Sequence, residues 1–195
     1  MVKHLPAKMT TLKFREKETM GLVDAIMDAS GSRPDQIIML LGLHGVGKSS
    51  VARNTLHYIY ERKYITGGIL WVQLKGVRDV YSVSKHLQKY IYRSLNLTKR
   101  EINELTRETC TEEKLIEFIK EFFNNPHDPK YLMKFKKPPA ARGGKKRFLI
   151  CFDNAEELIT HKEGDFQQLL KNLTEECPGL KIVITSNKGL NQMTN

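Results

Sequence analysis

Short, unbroken apolar runs recur along the chain. Ile37-Ile38-Met39-Leu40-Leu41, Ile69-Leu70-Trp71-Val72, Phe148-Leu149-Ile150-Cys151-Phe152 and Ile182-Val183-Ile184 each lack a polar interruption. Runs of this length without alternation predict strands buried on both faces, here over 36–41, 69–74, 147–153 and 180–185. Between them the apolar spacing changes to that of helices. Met20, Val23, Ile26 and Met27 mark a helix over 14–29, with Gly31 at its stop. Ala52, Leu56 and Ile59 mark a second helix, running to about Lys63. Val83, Leu87, Ile91 and Leu95 mark a third over 80–95. Glu101 to Thr106 reads as a short helical turn. Thr109-Cys110-Thr111-Glu112 has capping-box spacing ahead of Leu115, Ile116, Ile119, Phe122 and Phe123. Asp165 caps a last helix carrying Phe166, Leu169, Leu170 and Leu173, and Pro178-Gly179 ends it.

Strands that alternate with helices predict an α/β fold, a mainly parallel sheet between two helical layers. In such folds ligands sit beyond the carboxyl ends of the strands. Residues 1–13 carry no periodic signal and read as a loose N-terminus. Residues 14–195 read as one domain interrupted by a loop, 124–147. That loop holds Pro126, Pro129, Pro138, Pro139, Gly143-Gly144 and most of the excess positive charge.

Chemistry concentrates at the first strand end. Gly42-Leu43-His44-Gly45-Val46-Gly47-Lys48-Ser49 fits G-x-x-x-x-G-K-[ST], with a buried strand before it and a helix after it. A polyphosphate needs several backbone N–H groups aimed into one hollow, and glycines let the main chain curl that tightly. Gly42, Gly45, Val46, Gly47, Lys48, Ser49 and Ser50 are therefore the expected nucleotide-binding residues. Lys48 is expected to reach the β- and γ-phosphates, and the Ser49 hydroxyl to hold Mg²⁺. The run 148–153 closes on Asp153, the Walker B arrangement of a hydrophobic strand ending in an acid that sits near Mg²⁺. Hydrolysis also requires an oriented water. Asn154, which follows Asp153, cannot act as a base; Glu156 is the nearest candidate. Asn187, just past the last strand, can reach toward the γ-phosphate. Slow turnover, or binding of ATP or ADP without turnover, is compatible with this set.

Composition narrows the rest. The 195 residues carry 32 Lys and Arg against 22 Asp and Glu, a net charge of +10. Lys130, Lys134, Lys136, Lys137, Arg142, Lys145, Lys146 and Arg147 supply much of it; with no recognition fold beside them, solvated faces plus one basic loop are the favoured reading, and nucleic acid, if bound, would be met at 130–147. No segment approaches the ~18 apolar residues of a membrane helix, and no secretory h-region opens the chain. Three separated cysteines fit a reducing, cytoplasmic location, with the nucleus equally compatible.

The phosphate loop Gly42 to Ser50 resembles that of the STAND signalling ATPases, particularly the NB-ARC or AP-ATPase branch. Ile69 to Leu74, with its apolar-Trp-Val pattern, is similar to that branch's second strand, and Asp153-Asn154-Ala155-Glu156 to a Walker B variant within it. Phe14-Arg15-Glu16-Lys17-Glu18 resembles a degraded Gly-Arg-Glu-x-Glu segment, which implies that Arg15 lies against the adenine. The resemblance spans roughly 12–188. It implies a P-loop NTPase core with strand order 2-3-1-4, a nucleotide-dependent switch function, and protein partners or regulatory domains beyond the fourth core strand. The fifth strand, helical lid and winged helix would then lie outside this chain. Two features depart from that family. Ser186-Asn187 ends the last strand where the family often has Arg, and it is similar to the sensor of AAA+ ATPases, as is the Asp-Asn-Ala-Glu run. Two other readings follow: a nucleic-acid-associated AAA+-type module, and a P-loop kinase acting on a small acceptor.

Overall fold

The structure, a computed structural model, describes residues 2–9, 15–27, 36–94, 98–108, 112–124 and 147–191. The elements are β1 (Val2–His4), α1 (Glu16–Met27), β2 (Ile37–Leu41), α2 (Lys48–Glu61), β3 (Gly68–Gln73), α3 (Val80–Ser94), α4 (Lys99–Glu108), α5 (Glu112–Asn124), β4 (Phe148–Asp153), α6 (Glu156–Glu176) and β5 (Leu180–Ser186). All strand pairings are parallel, and the spatial order is β1-β3-β4-β5-β2. The α/β fold expected from the alternation is therefore present, with helices on both faces.

Two parts of the expectation change. The four core strands run 2-3-4-1, not 2-3-1-4. The last strand, β5, inserts between β2 and β4, pairing Met39 with Ile184 on one side and Ile150 with Ile182 on the other. The loose N-terminus is also corrected: Val2–His4 forms an edge strand beside β3, with His4 level with Leu70. Three residues are too few for a periodic signal, so the pairing follows from tertiary context. His4 donates from Nδ1 to the Trp71 carbonyl at 3.1 Å, and its ring lies 4.0 Å from that of Tyr90. His57 Nε2 donates to the Pro6 carbonyl at 2.8 Å, and Lys8 pairs with Glu61 at 2.7 Å. Together these tie the leading segment to α2.

Each face of the sheet has its own core. Ile69, Trp71, Leu149, Cys151 and Val183 point toward α1 and α2, where they meet Leu22, Ile26, Ala52 and Leu56. Leu70, Ile150, Phe152, Ile182 and Ile184 point the other way, against α3, α5 and α6. Trp71 is 4% exposed there. The α6 helix begins directly after β4 and is kinked at Lys162 (φ −147°, ψ 45°). The kink divides the span into two helical segments, so the separate last helix is present; Asp165, expected to cap it, lies three residues past the kink and pairs with Lys162 at 3.5 Å. Residues 28–35, which include Gly31, residues 109–111 of the capping box and the 130–146 basic run lie outside the described residues. Arg147 marks the base of that run. It donates to the Tyr64 carbonyl at 3.2 Å, at the amino end of β3 and β4.

Candidate nucleotide site

The site forms where β2, β4 and β5 end. Gly42, Gly45 and Gly47 have φ of +158°, +82° and +93°. The values at 45 and 47 belong to the left-handed region, which a side chain there would strain by about 1–2 kcal/mol. Gly47 is the N-terminal cap of α2, and no side chain caps it. The first helical hydrogen bond of that end runs from Val51 N to Gly47 O at 2.9 Å. The N–H groups of Lys48, Ser49 and Ser50 therefore precede any intrahelical partner and stand, with the helix dipole, at an open surface. Leu43 is 78% and Val46 40% exposed, so the turn is not sealed by neighbouring side chains. A carbonyl pair occupies the Lys48 ammonium, which donates to Gly42 O and Leu43 O at 2.8 Å each. These bonds hold the cation over the loop that an anion would enter.

Asp153 is placed by two strands. Its alternate residues Leu149 and Cys151 lie in the layer under α2, so its carboxylate emerges on the face where α2 begins. One strand, β5, separates β4 from β2, which puts their backbones about 10 Å apart at strand spacings of about 4.8 Å. Asp153 is 2% exposed. Thr185 Oγ1 donates to its Oδ1 at 2.6 Å, and Asn154 Nδ2 donates to its Oδ2 at 3.2 Å. The same Thr185 oxygen accepts from Asn154 N at 2.9 Å. Asn154 sits at φ +59°, a left-handed conformation that Asn tolerates better than most residues. A closed ring of three hydrogen bonds thus fixes the carboxylate. Burial, and then the Asp153 charge, pushes the Cys151 thiol well above its ordinary range.

The sequence did not single out Thr185. A signal existed: a polar residue closing an apolar strand that is otherwise buried. Gln73, paired with Asp153 in register and closing β3, belongs to the same class. Arg15 lies beside the loop. Its guanidinium donates to the Val46 carbonyl at 2.8 Å and pairs with Glu18 at 2.6 Å, which holds the Glu18 carboxyl below its usual range. Asn187 is exposed, immediately past β5. Glu156 and Glu157 both fall in the first turn of α6, where Glu157 is taken by Arg78 at 3.0 Å. Glu156 is half-buried, and its backbone carbonyl accepts from Thr160 Oγ1 at 2.6 Å.

The oxygen-only donor set fits Mg²⁺, which prefers one or two carboxylates, hydroxyls and retained water. The observation that supports this fit is Asp153 itself, an immobilised carboxylate at the open end of the sheet on the side of Ser49. No cluster of three or more His, Cys, Asp or Glu side chains that could hold a metal ion occurs among the described residues.

No family model matches the chain, and no curated protein matches it. Solved structures do. The Walker-type ATPase PABY2304 of Pyrococcus abyssi superposes with a TM-score of 0.55 at 17% identity, covering 94% of this chain and 48% of that one. The Drosophila ORC bound to DNA gives 0.59 at 19% identity, over 94% of this chain and 40% of that one. Cdc6p from Pyrobaculum aerophilum gives 0.57 at 15% identity, over 93% and 41%. Identities this low establish the fold, that of the P-loop ATPases. The chain spans less than half the length of each of these proteins.

Proposed function

We propose that this chain is the nucleotide-binding core of an AAA+-type P-loop ATPase, holding ATP or ADP with Mg²⁺ between α2 and the end of β4. The observation that carries the reading is the convergence, at one end of the sheet, of an open glycine loop and a fixed carboxylate. In that arrangement the amides of Gly45 to Ser50 receive the phosphate oxygens. Lys48 exchanges its two carbonyl partners for phosphate. Ser49 and Asp153 would hold the cation, and Mg²⁺ bound there would supply neutralisation of the phosphate charge.

Turnover is a separate matter. The position after the metal carboxylate carries an amide whose N–H₂ is spent on Asp153. Glu157 is committed to Arg78, which leaves Glu156 as the acid that would orient water. We therefore infer nucleotide binding with slow hydrolysis. Asn187, at the strand end beside the loop, would sense the terminal phosphate.

The DNA-bound ORC and the Cdc6p among the structures of similar fold support the AAA+ reading over a signalling switch. The switch reading, with its STAND or NB-ARC assignment and protein partners, keeps one supporting observation: Arg15 contacts the phosphate loop, where that family's segment would lie.

Labelled ATP and ADP titrated with and without Mg²⁺, followed by phosphate release over hours, tests the proposal. Mg²⁺-dependent binding of both nucleotides, lost in Lys48→Ala, with release slower than about one turnover per minute, is expected. Absence of binding to the wild-type chain would refute it.

A further inference from the structure

We infer that the outer face of α3 is a docking surface for the phosphate backbone of a nucleic acid, engaged through Lys85, Lys89 and Arg93. This surface is distinct from the nucleotide site, and it does not depend on the ATPase reading.

The helix Val80–Ser94 contains no Asp or Glu at all. Its apolar positions Val83, Leu87 and Ile91 are fully buried, which fixes the rotation of the helix on the sheet. The same rotation turns Lys85, Lys89 and Arg93 outward, and all three are exposed. At four-residue intervals they form a row with steps of about 6 Å, roughly 12 Å from end to end. None of the three has a carboxylate partner among the described residues, whereas Arg78, just before the helix, pairs with Glu157. The acid nearest in sequence, Asp79, is spent as the helix cap: its carboxylate accepts from Ser82 N and Ser82 Oγ at 2.8 Å each. Lys85 is steadied over the Tyr81 ring at 4.5 Å.

Both His4, stacked on Tyr90 of α3, and His86 within it are held below the ordinary imidazole range. Burial is the largest cause for each; at His4 the hydrogen bond to the Trp71 carbonyl opposes it and Arg93 adds a smaller lowering, while at His86 Lys89 adds to it and Asp79 opposes it. A linear row of unpaired cations is complementary to a regularly charged polyanion. An anionic bilayer is a poorer match, because an interfacial helix must also insert an apolar face. The apolar face of α3 is committed to the core, and none of the large exposed apolar side chains lies on it.

The test is fluorescence anisotropy of a labelled duplex of about 20 base pairs across a salt series. The wild-type chain is compared with a triple variant, Lys85→Gln, Lys89→Gln and Arg93→Gln. Three phosphate contacts contribute about 2.7 to the slope of log K against log salt, so between 50 and 200 mM salt their share is about 40-fold in affinity. The variant is expected to lose that share, while neutralising Lys134, Lys136, Lys137, Lys145 and Lys146 leaves it in place. Hydrogen exchange of the wild-type chain gives a readout that needs no variant: the duplex should slow exchange along 85–94. An unchanged slope in the triple variant, no protection of α3, or binding to phosphatidylserine vesicles or acidic peptides but not to the duplex would overturn the inference. ATP titration on the same samples is read separately, so loss of nucleotide binding would be recognised as a different failure.

Discussion

Replacing Thr185 by Val should destabilise the protein far more than replacing it by Ser. Thr185 is fully buried, and Val matches its shape. The Val variant removes the 2.6 Å hydrogen bond to Asp153 and leaves the Asn154 N–H, 2.9 Å from the former hydroxyl, without its acceptor. A hydrogen bond to a charged group is worth about 1.5–3 kcal/mol, and an orphaned buried donor costs about 1–3 kcal/mol. Allowing for partial relaxation, the loss comes to about 3 kcal/mol. The Ser variant keeps the hydroxyl and loses one buried methyl, about 1 kcal/mol. With a urea slope of about 2 kcal/mol per molar, the midpoints should fall by about 1.5 M for Val and about 0.5 M for Ser. The assay is equilibrium urea denaturation by circular dichroism, without nucleotide. Equal midpoints for the two variants would show that the hydroxyl does not hold the carboxylate, and would remove the reason for treating Asp153 as preorganised.

Other outcomes follow from the same structure. Cys151, buried with its thiol pushed well up, and Cys177, pushed up to about 11, should resist thiol reagents at about pH 8 until the chain unfolds; rapid labelling of either in the native state would contradict their placement. A Cβ on Gly67 would lie 2.7 Å from the Arg147 carbonyl and 2.8 Å from the Phe148 ring, so Gly67→Ala should cost about 1–3 kcal/mol in urea denaturation, and a neutral result would mean the β3–β4 start is looser than described. His4 and His86 have folded-state pKa values below the ordinary 6.5, so the unfolded chain takes up protons first as pH falls. Stability should be flat above neutrality and decline as pH drops through about 6.5. His4→Gln should flatten part of that decline, and an identical pH profile in the variant would refute the assignment.

The readable parts of the fold were those with local causes. Strands β2 to β5 were legible because burial on both faces forbids polar interruptions, and the phosphate loop because its glycines and lysine have fixed spacing. Strand order was not legible, because parallel neighbours lie far apart in sequence and no local pattern says whether β5 lies inside or outside β2. The β1 strand escaped notice for a related reason: His4 acquires its place only from Trp71 and Tyr90, which lie far along the chain. At the site, Asp153 could be read from its position after an apolar run. The function of Thr185 could not, since a threonine in a strand is ordinarily just a good β-former. Its partner is revealed only when β4 and β5 are neighbours. The same adjacency gives the Asn154 backbone N–H its acceptor, Thr185 Oγ1.

The most direct test of the central claim is amide hydrogen exchange across residues 42–51 with and without Mg-ATP. If the main-chain amides around Gly45 and Gly47 receive a triphosphate, their exchange should slow strongly on nucleotide addition, and the effect should vanish in Lys48→Ala. Unchanged exchange across those residues at saturating Mg-ATP would contradict the account.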